Sequence, residues 1–84
     1  MVIQNLQPGI VSQQSYLHVT AERSDRLTIK VFNAQGRLAK TYNTIVSPGM
    51  QQFLIETEDL PMGNYVLNVF CKDTFLKSIR FIKQ

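Results

Sequence analysis

Polar and apolar residues alternate along most of this chain. Tyr16-Leu17-His18-Val19-Thr20 alternates, and so does Leu27-Thr28-Ile29-Lys30-Val31-Phe32. The pattern returns in Gln52-Phe53-Leu54-Ile55, in Tyr65-Val66-Leu67-Asn68-Val69-Phe70 and in Phe75-Leu76-Lys77-Ser78-Ile79-Arg80-Phe81. A period of two marks strands with one buried face, and these runs are rich in β-branched and aromatic residues. No stretch carries the i, i+3, i+4, i+7 apolar stripe of a helix. Turn signals fall between the runs at Pro8-Gly9, Ser24-Asp25 and Pro48-Gly49. Ala34-Gln35-Gly36 separates two strand-like runs and fits a type I turn closed by glycine in the left-handed region. Lys72-Asp73-Thr74 separates the last two runs without a glycine. The chain is therefore expected to be all-β, a small antiparallel sandwich of about six or seven short strands. Met1–Ile10 is the least patterned segment and reads as a leading edge strand or a frayed end. With no linker, repeat or low-complexity segment, residues 1–84 are expected to form one domain.

Asp59-Leu60-Pro61-Met62-Gly63-Asn64-Tyr65 is the most informative segment. A turn carrying leucine, then glycine, then tyrosine two residues on, opens an alternating apolar strand. It looks like the tyrosine corner of immunoglobulin-like sandwiches, where the phenol hydroxyl bonds back to upstream backbone. In that register Tyr65, Leu67, Val69 and Cys71 share one face, with Leu67 and Val69 in the core. Leu27, Ile29 and Val31 are expected to face the core from their strand, and Phe53 and Ile55 from theirs. Phe75, Ile79 and Phe81 are expected to share a face, interrupted by Lys77.

Composition narrows the function classes. The chain has 84 residues, is 44% hydrophobic and 18% charged, and carries a net charge of +3. It has enough apolar content to fold, and no apolar run of membrane-spanning length. The N-terminus lacks the basic-then-apolar pattern of a secretory signal peptide. A single cysteine excludes an internal disulfide. The basic charge gathers near the end, where Lys72, Lys77, Arg80 and Lys83 stand against Asp73 alone. That density falls short of a nucleic-acid footprint.

Candidate chemistry is sparse. His18 has the opposite parity to Leu17 and Val19, faces outward, and has no second histidine to complete a triad or metal site. Cys71 reads as a small buried hydrophobe, because a nucleophile needs a base and an electropositive setting. Glu56, Glu58 and Asp59 read as solvated surface, since calcium requires six to eight oxygens on a tight loop. The four glycines, Gly9, Gly36, Gly49 and Gly63, are too far apart for a phosphate loop. No catalytic residue, metal, cofactor or small-molecule substrate is expected. Phe32, Val66 and Phe70, opposite in parity to their core neighbours, are the one binding clue on the outer face. They cover a second apolar layer or form an interface patch. The segment from Lys77 to Gln84 is an amphipathic strand. It reads either as an edge guarded against aggregation by lysines or as a peptide handle offered to a receptor.

Taken in order, these motifs resemble a known family. Tyr16-Leu17-His18-Val19 precedes Leu27 to Leu38 with its Asn33-Ala34-Gln35-Gly36-Arg37 turn. Leu60-Pro61-Met62-Gly63-Asn64-Tyr65 follows, and a basic strand ends the chain. Over about residues 11–84 this resembles the C-terminal sorting domain of the type IX secretion system of certain Gram-negative bacteria. The resemblance implies an immunoglobulin-like sandwich that is not an enzyme. It implies a domain that addresses an attached cargo to an outer-membrane translocon, with a sortase-like peptidase as second partner. It further implies passage through the periplasm, then the cell surface or the medium. Gly36, Gly63 and Tyr65 become structural signature positions, and Lys77, Arg80, Ile82 and Lys83 a terminal recognition strand. The family's asparagine-proline pair before the first strand and its glycine in the last hairpin are missing; Gln7-Pro8-Gly9 and Lys72-Asp73-Thr74 stand there instead. The alternative is a plain immunoglobulin-like interaction or carbohydrate-binding module built on Phe32, Val66 and Phe70. The edges of such a sandwich also leave strand exchange between two copies open.

Overall fold

A computed structural model describes residues Met1–Gln84. Eight strands form: β1 (Val2–Gln7), β2 (Ile10–Val11), β3 (Gln14–Ala21), β4 (Asp25–Asn33), β5 (Leu38–Val46), β6 (Gly49–Glu56), β7 (Gly63–Cys71) and β8 (Thr74–Lys83). They build a sheet of order β1-β3-β6 against a sheet of order β2-β8-β7-β4-β5. The chain is all-β, as expected, and no helix is long and apolar enough to cross a membrane. Met1–Ile10 is a true leading element. β1 pairs with β3 at the edge of the smaller sheet and buries Ile3 and Leu6. The chain then changes sheets at Gln7-Pro8-Gly9, where the Gln7–Pro8 peptide is cis. The small antiparallel sandwich is as expected, with eight strands where six or seven were expected and one short parallel pair, β2 with β8, that makes the larger sheet mixed.

The alternation in sequence becomes the core. Leu17 and Val19 face Leu27, Ile29, Val31, Leu67 and Val69, all essentially fully buried, with Ile55 and Val46 beside them. Burying a large aliphatic side chain is worth about 1.5–3 kcal/mol, so a cluster of fifteen apolar residues suffices for a chain this short. Phe53 packs at the rim of this cluster.

Two turns carry the local conformations expected of them. Gly36 adopts φ 77°, its N–H donates to Asn33 O at 3.0 Å, and Asn33 N–H donates to Arg37 O at 2.9 Å. Asn33 Oδ1 also accepts from the N–H groups of Gln35 and Arg37 at 3.0 and 2.9 Å, which fixes the hairpin. In the crossover from β6 to β7, Tyr65 Oη donates to Pro61 O at 2.6 Å. Its ring stacks on Phe81 with centroids 5.3 Å apart. The tyrosine corner is thus present. Gly63 holds φ 152° at its base, a backbone state that side chains disfavour.

One expected alignment fails. Phe75 does not share a face with Ile79 and Phe81. Val69 pairs with Lys77 while Phe70 pairs with Phe75, so β8 carries one extra residue, Leu76. This bulge reverses the parity. Phe75 therefore lies on the outer face, edge-on to Phe70 at 5.7 Å, and is exposed.

Candidate functional site

The last strand positions the four residues singled out in the tail, and its alternation divides them into two pairs. Lys77 and Lys83 point the same way as buried Phe81, toward the interior. Arg80 and Ile82 point outward and are exposed.

The inward pair is tied into the fold. Lys83 is only 6% exposed, and its Nζ donates to Thr57 O at 2.6 Å and Leu60 O at 3.2 Å. Those carbonyls belong to the segment that leads into the tyrosine corner. A buried ammonium needs such acceptors, because stripping its water without replacement costs several kcal/mol. Lys77 Nζ donates to Ile3 O and Gln4 O at 3.2 and 2.9 Å, so it pins β1 across the mouth of the sandwich. Neither ammonium is offered freely to a partner.

β8 is also not the bare edge of its sheet. β7 covers one side throughout. On the other side Ile82 N–H donates to Gly9 O at 3.0 Å and Gln84 N–H to Val11 O at 2.7 Å. β2 spans only two residues, so this cover reaches only the end of the strand. By parity, the outward backbone groups of Ser78 and Arg80 lie along the uncovered stretch.

The outward pair belongs to a surface built from three strands. Phe32, Val66 and Arg80 form one cross-strand row over β4, β7 and β8. Asn64 and Ile82 form the next row toward the Asn33–Arg37 hairpin, and Lys30, Asn68 and Ser78 the row on the other side. Ser78 Oγ donates to Asn68 Oδ1 at 2.7 Å. Together with the Pro8-Gly9 turn these rows bound an open groove of about 690 Å³. Phe32 and Val66 are half-buried in its floor. Phe70 lies outside it, at the far end of β7, with Lys30 Nζ 5.5 Å from its ring centre. The outer face thus has no continuous row of exposed rings. Asn64 and Asn68 were not singled out from sequence, although their outward parity on β7 is visible there.

The remaining candidates are dispersed. His18 is half-buried on the outer face of the smaller sheet, its Nδ1 3.5 Å from Gln52 Nε2. Cys71 sits at the opposite end of the larger sheet. Partial burial, and then the hydrogen bond and charge of Asp25, push its thiol pKa up, away from nucleophilic character. In the acidic cluster, Asp59 pairs with Lys40 at 2.7 Å, while Lys40 Nζ and Tyr42 Oη donate to Glu56 O at 2.8 and 3.1 Å. No three His, Cys, Asp or Glu side chains are grouped to hold a metal ion.

Comparison with known proteins agrees with this arrangement of strands and turns. The fold is similar to part of the Pseudomonas fluorescens alkylpurine DNA glycosylase AlkC, solved bound to DNA containing an abasic site analog. The match has a TM-score of 0.55 and 18% identity, over 94% of this chain and 28% of that one. At that identity the likeness speaks for the fold alone. No curated relative matches the chain. The family model of the secretion system C-terminal sorting domain matches residues 12–84, from just before β3 through the tyrosine corner to β8 and Gln84. The chain belongs to that family, the C-terminal sorting domains of type IX secretion.

Proposed function

We propose that this domain directs an attached cargo protein from the periplasm across the outer membrane, and that the translocon reads the outward face of β8 at Arg80 and Ile82. Membership of the sorting-domain family gives a secretion-signal role and export to the surface or the medium, and that family is not a catalytic one. The observation that carries the finer reading is the division of the last strand. Of the four residues singled out in the tail, Lys77 and Lys83 are committed to backbone carbonyls, which leaves Arg80 and Ile82 available to a partner. A sortase-like peptidase acting after translocation fits the same reading, and the domain itself makes and breaks no bond.

The test follows from the geometry. A reporter is fused between a signal peptide and residues 1–84 in a host with type IX machinery, and Arg80→Glu with Ile82→Asp is compared with the parent. The doubly substituted fusion is expected to stay in the periplasm with its fold intact by circular dichroism. Undiminished export of that folded variant refutes the proposal. Deleting Lys77–Gln84 is a poorer test, because it removes Phe81 from the core and Lys83 from its carbonyls.

A further inference from the structure

The groove beside Arg80 has a composition that selects its occupant. Phe32, Val66 and Ile82 form an apolar floor and rim. Asn64 and Asn68 stand along it, and Asn68 has its amide nitrogen free once its oxygen has accepted from Ser78. Arg80 is exposed, and the two ion pairs of the chain, Lys40–Asp59 and Lys72–Asp25, leave its guanidinium without a carboxylate. No Asp or Glu lines the groove, and none occupies an outward position on β4, β5, β7 or β8. Lys30, in the neighbouring row, carries its charge over Phe70 outside the groove, so Arg80 is the positive charge within it.

From this complementarity we infer that the groove binds an extended acidic peptide segment of a partner protein, with a carboxylate on Arg80 and an aliphatic side chain on Phe32 and Val66. The inference rests on the reading of Arg80 and Ile82 given above, and it extends the recognition surface from the tail onto β4 and β7. A guanidinium binds a carboxylate through two parallel hydrogen bonds, and carboxamides supply both donors and acceptors to a peptide backbone. A volume of about 690 Å³ lies within the usual range of ligand sites. An acidic glycan is the weaker match. Sugar rings stack on open aromatic faces, whereas Phe32 is half-buried and Tyr65 and Phe81 stack on each other inside.

The experiment titrates the purified isotope-labelled domain by amide NMR with three capped peptides, alternating valine with glutamate, with glutamine or with lysine, and with an oligogalacturonate. The glutamate peptide is expected to shift Phe32, Asn64, Val66, Asn68 and Arg80. The lysine peptide is expected to shift nothing, and Arg80→Ala to weaken glutamate-peptide binding at least about tenfold. Val66→Asp is expected to abolish it, its own spectrum reporting that the fold persists. Equal response to all three peptides, shifts away from the groove, or a response to the oligogalacturonate alone overturns the inference. The export assay separates the two readings. Blocked export of Arg80→Glu, Ile82→Asp without peptide binding leaves the sorting role standing and removes the peptide site. Peptide binding by the parent with unimpaired export of the variant leaves the peptide site standing and removes the reading of Arg80 and Ile82 by the translocon.

Discussion

Replacing Lys83 by methionine keeps an aliphatic stem in the core and removes the ammonium that Thr57 O and Leu60 O accept from at 2.6 and 3.2 Å. Each hydrogen bond from a charged donor is worth about 1.5–3 kcal/mol, the longer one at the low end, and their carbonyls lose a partner that water cannot easily replace. Against that loss, methionine no longer has to bury a charge, which returns about 1 kcal/mol or more. The net expectation is a loss of about 2–3 kcal/mol. For a domain of this size that lowers Tm by roughly 10–20 °C. Urea unfolding followed by far-UV circular dichroism gives the value directly. Arg80→Met, three residues away but outward, is the matched control and is expected to stay within about 0.5 kcal/mol of the parent. A Lys83→Met loss below about 0.5 kcal/mol, or equal losses for the two variants, refutes the assignment of Lys83 to the fold and of Arg80 to the surface.

Tyr65→Phe removes the 2.6 Å bond to Pro61 O while keeping the stack on Phe81, and is expected to cost about 1–1.5 kcal/mol in the same urea assay. Lys72 holds φ 55° in the last hairpin, and its pairing with Asp25 is long and exposed on the lysine side. Lys72→Gly is therefore expected to stabilise by about 1 kcal/mol, and a net loss counts against the strain. Asp25 is held below the usual carboxylate range by the Arg26 N–H and then by Cys71, and Asp59 by its hydrogen bond from Lys40. Both contribute stability above the unfolded-chain value of about pH 4 and lose it as pH falls through their lowered values. The urea midpoint should drop on acidification with a shallower slope in Asp59→Asn, and an identical slope in the two proteins excludes the pairing as a contributor.

The period of two carried most of the fold into view. Parity alone placed Leu27, Ile29, Val31, Leu67 and Val69 inside, because every flip of a strand would expose an entire apolar set. The tyrosine corner was legible because glycine and tyrosine are fixed by local backbone demands that act within one turn. What parity could not carry is a register change. Leu76 is an ordinary strand residue, and nothing in Phe75-Leu76-Lys77 announces that it will be bulged. β2 was hidden for a different reason. Two residues have no period, and Ile10–Val11 becomes a strand only because β8 offers it an edge. The burial of Lys83 has no sequence signal, since lysine seldom stays buried, and its acceptors, Thr57 O and Leu60 O, lie over twenty residues away.

On the proposed reading, the same strand serves two ends by alternation. Its inward residues close the sandwich: Phe81 fills the core beneath Tyr65, Lys83 fastens the approach to the corner, and Lys77 holds β1. The Arg80 side chain, outward and exposed, makes no hydrogen bond or ion pair in that closure. A signal built this way is displayed only when the strand is docked, because docking alone aligns Arg80 with Val66 and Phe32 and sets Ile82 beside Asn64. The groove does not exist on the unfolded tail. Recognition of a folded domain and recognition of a terminal peptide thus make opposite demands on Lys83→Met. A partner that reads the groove loses affinity in proportion to the fraction unfolded, whereas one that reads the bare strand gains access. Raising temperature through the lowered Tm of that variant, with peptide binding followed alongside unfolding, separates them: for a groove the two curves coincide.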